Sequence, residues 1–307
     1  IAGAGSEARN VRHADNALPR FRGTLPGGVL PMLMALITAG AVQAQNVEPG
    51  RMKGRVVDAP GSDVVLPGIF ATGWVKRGPV GAALAGARVI ADNTLFYNTN
   101  VIGSSGSDGR YVLDVSHPVG TWNATAQITR AFNGRNYTLD LHPDNSEVFA
   151  GTTGAIRNFT WRLTGERVEG LGYYGMPVIY YMARFEDPQY PGHYLDTDYV
   201  ELTMVPVGPL IDGSAGHTLR GFGERTGDGP AIVDVPLGRY TISGRYLSPN
   251  HTPRSLLLRL RNRGEYVPAL TADFAELLPT RYQIELEVDI DTAAVFATGF
   301  ESGAGVP

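Results

Sequence analysis

The chain has no cysteine, which excludes disulfide scaffolds, thiolate metal sites and cysteine nucleophiles. Its domains must therefore stand on packed cores alone. Lysine is scarce, with Lys53 and Lys76 its two instances, so the basic charge is arginine, a bias that GC-rich coding produces. From Met52 onward no stretch sustains a helical period, and no run after residue 44 is long and apolar enough to span a bilayer. None of the six histidines (His13, His117, His142, His193, His217 and His251) begins a His-x-x-Glu or His-Glu-x-x-His pattern, so zinc-protease chemistry has no signature. The nucleophile elbow, P-loop and dinucleotide fingerprint are missing too, and Gly213-Ser214-Ala215-Gly216 lacks the first glycine at the spacing an elbow needs. No cofactor and no metal site is expected. The net charge is −4, and the first 44 residues hold four arginines against Glu7 and Asp15, so the remainder carries −6. An acidic body lacks the basic footprint that nucleic acid or an anionic membrane would require.

The amino-terminal segment does not read as part of a fold. Residues 29–44, VLPMLMALITAGAVQA, are apolar, follow Arg20 and Arg22, and end with Val42 and Ala44 at the small-residue positions that a signal peptidase recognises. Residues 1–44 are thus expected to be an upstream extension and signal peptide, cleaved between Ala44 and Gln45. The product would be a secreted bacterial protein, extracellular or periplasmic, with no membrane span left after cleavage.

What remains is rich in glycine (39) and proline (21), scattered between short β-branched and aromatic runs. That punctuation predicts many strands and many turns. Strands are expected at 53–58, 69–75, 87–91, 110–115, 121–128, 136–141 and 156–163, then at 199–206 and 281–290. In Tyr111-Val112-Leu113-Asp114-Val115 the odd members would share one face. Asp108-Gly109 supplies a turn that needs positive φ, and the aromatic two positions on can anchor a sheet pair. The run from Asp228-Gly229 to Tyr240 aligns with Asp108 to Trp122 if Ser116 and His117 are an insertion. The fold class is therefore all-β, two tandem antiparallel β-sandwiches after the signal segment. The expected bounds are 45–165 and 166–291, with a flexible tail at 292–307.

Four segments carry a family resemblance: GRVVDA (54–59), GARVIA (86–91), SDGRYVLDV (107–115) and GTWNATAQI (120–128). With NFTWRL (158–163) as a closing strand, residues 52–164 resemble carboxypeptidase regulatory-like domains. The resemblance implies a transthyretin-like (prealbumin-like), carbohydrate-binding-like sandwich, with a divergent second copy in 166–291. The stretches 60–85 and 130–154 depart from the family's pattern. The zinc peptidase to which such modules attach is not in this chain, nor is the Tyr-Arg-Gly-Ser ending of the hydroxyisourate hydrolases that share the fold. VFATGFES (295–302) resembles the short Phe-x-x-Gly-Phe-Glu ending of many exported bacterial proteins, with Thr298 where Asp is usual.

For ligands, the richest signal is aromatic. Tyr173, Tyr174, Tyr180, Tyr181, Tyr190, Tyr194 and Tyr199 crowd the start of the second module. Exposed rings stack on sugar faces, although sheet propensity and core packing also explain tyrosines here. On a strand Tyr180 and Tyr181 must face opposite sides. Arg184, Glu186, Asp187, Gln189, Asp196 and Asp198 interleave with them and could bond hydroxyls. The candidate ligand-binding set is Tyr173, Tyr174, Tyr180, Tyr181, Tyr190, Tyr194, Asp196 and Asp198. Asp196 with Asp198, Asp289 with Asp291, and Asp144 with Asn145 and Glu147 could supply oxygen ligands, but none shows the spaced run and glycine of a calcium loop. The expected function is a non-catalytic module that binds glycans or cell-surface polymer. A structural or adhesion spacer that makes protein contacts is one alternative, and a hydrolase with an unrecognised site is another. An open row of coplanar rings would favour the first, a broad apolar patch the second, and a deep polar pocket the third.

Overall fold

The computed structural model describes residues 47–58, 81–249 and 251–292. The signal segment with Ala44 and Gln45, the expected strand at 69–75, most of the 60–85 departure and the tail lie outside the described residues.

Alternation governs the strands. In β1 (Arg51–Asp58) Met52, Gly54 and Val56 turn inward, and in the last strand Tyr282, Ile284, Leu286, Val288 and Ile290 do the same. After β1 the first sandwich runs through β2 (Arg88–Asn93), β3 (Asn100–Ser104), β4 (Arg110–Asp114), β5 (Thr121–Phe132) and β6 (Arg135–Asp140). Four short strands complete it, β7 (His142–Pro143), β8 (Phe149–Ala150), β9 (Ala155–Ile156) and β10 (Phe159–Trp161). One sheet has the order β4-β1-β10-β7 with β9 also on β1, and the other β3-β2-β5-β6 with β8 on β5. Trp122, Tyr111, Phe159, Met52, Val89 and Ile128 pack between them.

The expected strand at 156–163 is split. Arg157 turns into the protein between β9 and β10, where its amide donates to the Lys53 carbonyl and its guanidinium to the carbonyls of Ile156 and Glu147. A buried cation with backbone partners interrupts the ladder there.

The second sandwich comprises β11 (Met176–Met182), β12 (Val200–Pro206), β13 (Leu219–Phe222), β14 (Glu224–Thr226), β15 (Gly229–Val235) and β16 (Arg239–Tyr246). It continues with β17 (Arg254–Leu260), β18 (Arg263–Val267), β19 (Ala269–Asp273), β20 (Ala275–Leu278) and β21 (Arg281–Ile290). Its strands form one wrapped sheet, β13-β12-β16-β17-β21-β11-β15-β14. Two edges close because the chain changes sheets in passing. β13 pairs with β12 and, after Gly223, β14 pairs with β15. Likewise β19 pairs with β16 and, after Phe274, β20 pairs with β21. Such crossings leave little open ladder for a stray strand to join.

The two sandwiches share their wiring. The sheets are antiparallel except where the first strand of each sandwich lies parallel to its closing segment, β1 beside β9 and β10, and β11 beside β21. The strand led by Asp-Gly pairs with the first strand in both, β4 with β1 and β15 with β11. The next strand pairs with the second, β5 with β2 and β16 with β12. Gly109 has φ 76 and Gly229 φ 123, as the turn requires. Trp122 and Tyr240, aligned by the repeat, are both buried.

Both sandwiches lie in one compact unit, joined by an arm. The β5–β6 hairpin, part of the 130–154 departure, reaches the second sandwich. Asn133 donates to Asp273 at 2.8 Å, the Tyr137 hydroxyl to the Phe274 carbonyl at 2.9 Å, and the Thr138 amide to the Tyr282 hydroxyl at 2.8 Å. The linker is held as well. Asp234, at φ 57, accepts from the amides of Gly165 and Gly175, and burial pushes its carboxyl up to about 6. An unfolded aspartate titrates near 3.9, so between roughly pH 4 and 6 the folded chain binds the extra proton and stability falls as pH rises. Relative to wild type, Asp234→Asn should therefore gain about 2–3 kcal/mol between pH 4 and pH 7.5, whatever its constant offset. Urea unfolding of both proteins across that range measures it, and a difference that does not change with pH would refute the assignment.

Candidate functional site

The tyrosine-rich stretch begins on β11, where Val178 and Tyr180 turn inward and Tyr181 outward. The Tyr180 ring is fully buried, but its hydroxyl reaches the chain segments at the edge of the second sandwich. There it donates to the Thr197 carbonyl at 3.2 Å and accepts from the Gly223 amide at 3.0 Å. Burial pushes this phenol up to about 12. A Cβ at Gly223 would lie 2.4 Å from that hydroxyl, so the corner between β13 and β14 admits glycine alone.

Beyond Met182 the chain makes a hairpin-like loop over residues 183–199. Leu195 donates to the Phe185 carbonyl at 2.7 Å, Asp187 to His193 at 2.8 Å, and Glu186 bridges to Tyr194. A buried ion pair pins this loop to β17, with Arg254 donating to both oxygens of Asp187 at 2.8 and 2.6 Å. Burial alone would raise Asp187, but the Arg254 hydrogen bond and charge, with the Gln189 and Tyr190 amides, hold its carboxyl below the usual range. Tyr190 and Tyr246 place their rings against the Arg254 guanidinium at 5.4 and 5.1 Å. The Asp196 amide donates to the Tyr246 hydroxyl at 3.0 Å. Thus the loop is tied to the second sandwich through Asp187, Tyr190 and Asp196.

Between this loop and the β14–β15 hairpin lies an open groove of about 760 Å³. Tyr181, Met182, Phe185, Tyr194, Leu195, Tyr199 and Pro230 supply its apolar walls, with Asp196, Thr197, Arg225 and Thr226 at its polar margin. Phe185 and Tyr194 are each 82% exposed. Arg225 donates to both oxygens of Asp198 at 3.1 and 2.8 Å and lies 3.6 Å from Asp196.

The candidate residues therefore separate. Tyr180, Tyr181, Tyr194 and Asp196 meet at the groove, with Asp198 tied to it through Arg225. Tyr174 is buried at the junction, where its hydroxyl lies 3.2 Å from His142 and Arg167 covers its ring. Tyr173 sits half-buried beside the linker, its carbonyl accepting from Arg167. Tyr190 is stacked against His251 at 4.3 Å. Tyr181 is covered on one side by Arg261 at 4.1 Å. Phe185, Arg225 and Thr197 complete the groove without being anticipated. Phe185 stands among Arg184, Glu186 and Asp187, and an aromatic within a charged run is the one signal it carried.

Two of the other candidate carboxylates have structural partners. Asp144 accepts from the Asn158 amide and side chain, and Asp289 pairs with Arg184. Among the described residues no group of three or more His, Asp or Glu side chains could hold a metal ion. Nor is any helix among them long and apolar enough to cross a membrane.

No family model and no curated protein matches the chain. Among solved structures it is similar to the minor pilin GBS52 of Streptococcus agalactiae, at 10% identity and TM-score 0.23, covering 84% of this chain and 98% of that one. A C-terminal fragment of the pilus adhesin SpaC from Lactobacillus rhamnosus GG is 11% identical over 78% of this chain and 97% of that one, with TM-score 0.24. The major pilin T-13 of Streptococcus pyogenes is 9% identical over 80% and 97%, with TM-score 0.23. At such scores these likenesses carry no argument about function. The groove must be judged on its own chemistry, which is two exposed rings on a pinned loop above an apolar wall.

Proposed function

We propose that this chain is a non-catalytic adhesion or structural module of an exported bacterial protein, which grips apolar side chains of a protein partner in the groove beside β11. The observation that carries the reading is the pair Phe185 and Tyr194, held open to solvent on a loop that a buried ion pair anchors. Large exposed apolar side chains on an ordered scaffold mark contact sites, because leaving them in water costs free energy that a partner recovers. The leader pattern of residues 29–44 supports export, and the resemblance of residues 52–164 to carboxypeptidase regulatory-like domains supports an accessory role.

A sugar-binding reading needs rings open side by side, whereas Tyr174 and Tyr180 are buried, Tyr190 is stacked on His251 and Tyr181 is capped by Arg261. It keeps one point in its favour, since Thr197, Thr226 and Asp196 stand next to the open Tyr194 ring. Selection of displayed random peptides on the full chain separates the two. Aromatic or aliphatic anchor peptides should emerge, and Phe185→Ser with Tyr194→Ser should weaken them at least tenfold. Retention on polysaccharide with no peptide enrichment would restore the glycan reading.

A further inference from the structure

We infer that the protein partner is a second copy of this chain, associating head to tail, with the 94–97 loop of one copy seated in the groove of the next. The inference rests on the reading of the groove as a protein-contact site.

The loop joins β2 to β3 and presents a second set of exposed apolar side chains. Leu95 is 67% exposed, Phe96 51% and Tyr97 fully, with Val119 of the neighbouring loop 64% exposed. It is ordered before any partner arrives. The Asn93 side-chain oxygen accepts from the amides of Leu95 and Phe96 at 2.9 and 3.1 Å, and the Thr94 amide donates to the Thr121 carbonyl at 2.9 Å. Little conformational entropy is then lost on docking. No Asp, Glu, Lys or Arg occurs from residue 93 to 107 or from 115 to 129. An uncharged knob suits a groove whose Arg225 is already satisfied by Asp198 and Asp196, because no charge on either side is left buried and unpaired.

Placement makes the contact intermolecular. β5 starts at Thr121 beside the loop and ends at Phe132, where its hairpin meets the second sandwich. Twelve extended residues put the loop roughly 40 Å from that junction. On the other side Tyr174 lies at the junction with His142, and β11 runs away from it to Met182 in the groove. Eight steps along the strand are about 27 Å. Within one copy the side chains of the loop and Phe185 and Tyr194 of the groove are all exposed, so the loop does not fill its own groove. A contact between different patches that does not close on itself propagates as a linear array. A knob of four side chains buries less than the roughly 1,600 Å² of a standard stable pair, so each joint is weak and arrays form where copies are concentrated.

Sedimentation velocity of the full chain from about 5 to 500 μM tests this, a range chosen because so small a joint is weak. The average mass should rise past dimer with concentration. Phe96→Ser with Tyr97→Ser, or Phe185→Ser with Tyr194→Ser, should each weaken association at least about thirtyfold. All four side chains are exposed, so the urea midpoint should not move. Mixing the two double variants is decisive, since one keeps the groove and the other the knob, and the mixture should form pairs that stop at dimer. Self-association that survives in either variant, or a mixture that stays monomeric, would overturn the head-to-tail joint. A wild-type chain that stays monomeric but still binds selected peptides in the groove overturns this inference and leaves the function reading intact, while loss of both removes that reading. If wild type stays monomeric and binds phosphatidylcholine vesicles through Phe96 and Tyr97, the loop belongs to a lipid surface and the inference fails.

Discussion

Arg254→Ala should cost about 3–5 kcal/mol and abolish peptide binding in the groove, because it strands a buried carboxylate. Arg254 and Asp187 are both more than nine-tenths buried. The guanidinium donates to both carboxylate oxygens and packs on Tyr190 and Tyr246. Removing the cation leaves Asp187 buried with the Gln189 and Tyr190 amides but no counter-charge, and relief comes through protonation or through the loop lifting into water. Lifting the loop frees Phe185 and Tyr194, which flank Asp187 on it, whereas protonation leaves a neutral acid in place without its bidentate partner. Losing both charges is a different matter. Asp187→Leu with Arg254→Met should recover most of the stability, since well-packed apolar pairs often replace buried ion pairs at little cost. If the double variant stays folded yet binds no peptide, the ion pair serves to position the loop. The pH dependence gives an independent check. Asp187 titrates below its unfolded value, so its contribution is present above about pH 4 and fades as pH falls through the lower folded value. Asp234 acts with the opposite sign. A urea midpoint unmoved by Arg254→Ala would show that the loop is held by something else.

Much of the fold is legible because period-two alternation survives wherever a strand has one wet face. Arg281–Ile290 and Val200–Pro206 lie within a residue of the expected bounds. The Asp-Gly turn at 108–109 and again at 228–229 exposed the repeat, and its strands carry the same pairings in both sandwiches. β11 was hidden for the opposite reason. Ile179 is buried on the face opposite Val178 and Tyr180, so MPVIYYM reads as an apolar run without a period. The tyrosine set divides because of distance along the chain. Seven tyrosines within 27 residues look like one cluster, but adjacent strand positions point apart and the capping groups come from elsewhere. Arg261 over Tyr181 and His251 against Tyr190 are 80 and 61 residues away along the chain. Local sequence can nominate aromatic rings, but only the sheet order determines which of them stay open.

Gly54→Ala should unfold the first sandwich outright, a loss of at least about 4 kcal/mol that places it among the exceptional point substitutions. GRVVDA carries a glycine at its head, and the structure gives the reason. A Cβ at residue 54 would lie 1.7 Å from the Arg157 carbonyl oxygen and 2.9 Å from the Tyr111 hydroxyl. That carbonyl cannot retreat, because the same hydroxyl donates to it and the Arg157 amide donates to Lys53. β1 is the shared member of four pairings, to β4, β9 and β10 and, through Val57, to Ala83. Forcing it outward opens both sides of the sheet together. The second sandwich buries Leu202, Met204, Leu256 and Leu286 among its own strands, and one apolar cluster runs through both sandwiches. Across the junction it meets the first through three hydrogen bonds from the β5–β6 arm, the Thr280–Asp140 and Tyr174–His142 contacts, the Arg167–Asp140 pair and the Tyr137–Tyr282 ring contact. The second sandwich keeps all of its own strand pairings in the variant, so hydrogen exchange should show β2, β4 and β5 unprotected while β12, β17 and β21 stay protected. Full protection throughout would mean that the close approach at Gly54 is relieved at little cost. Loss of protection in both halves would mean that the two sandwiches fold as one cooperative unit, with the junction stronger than its contacts imply.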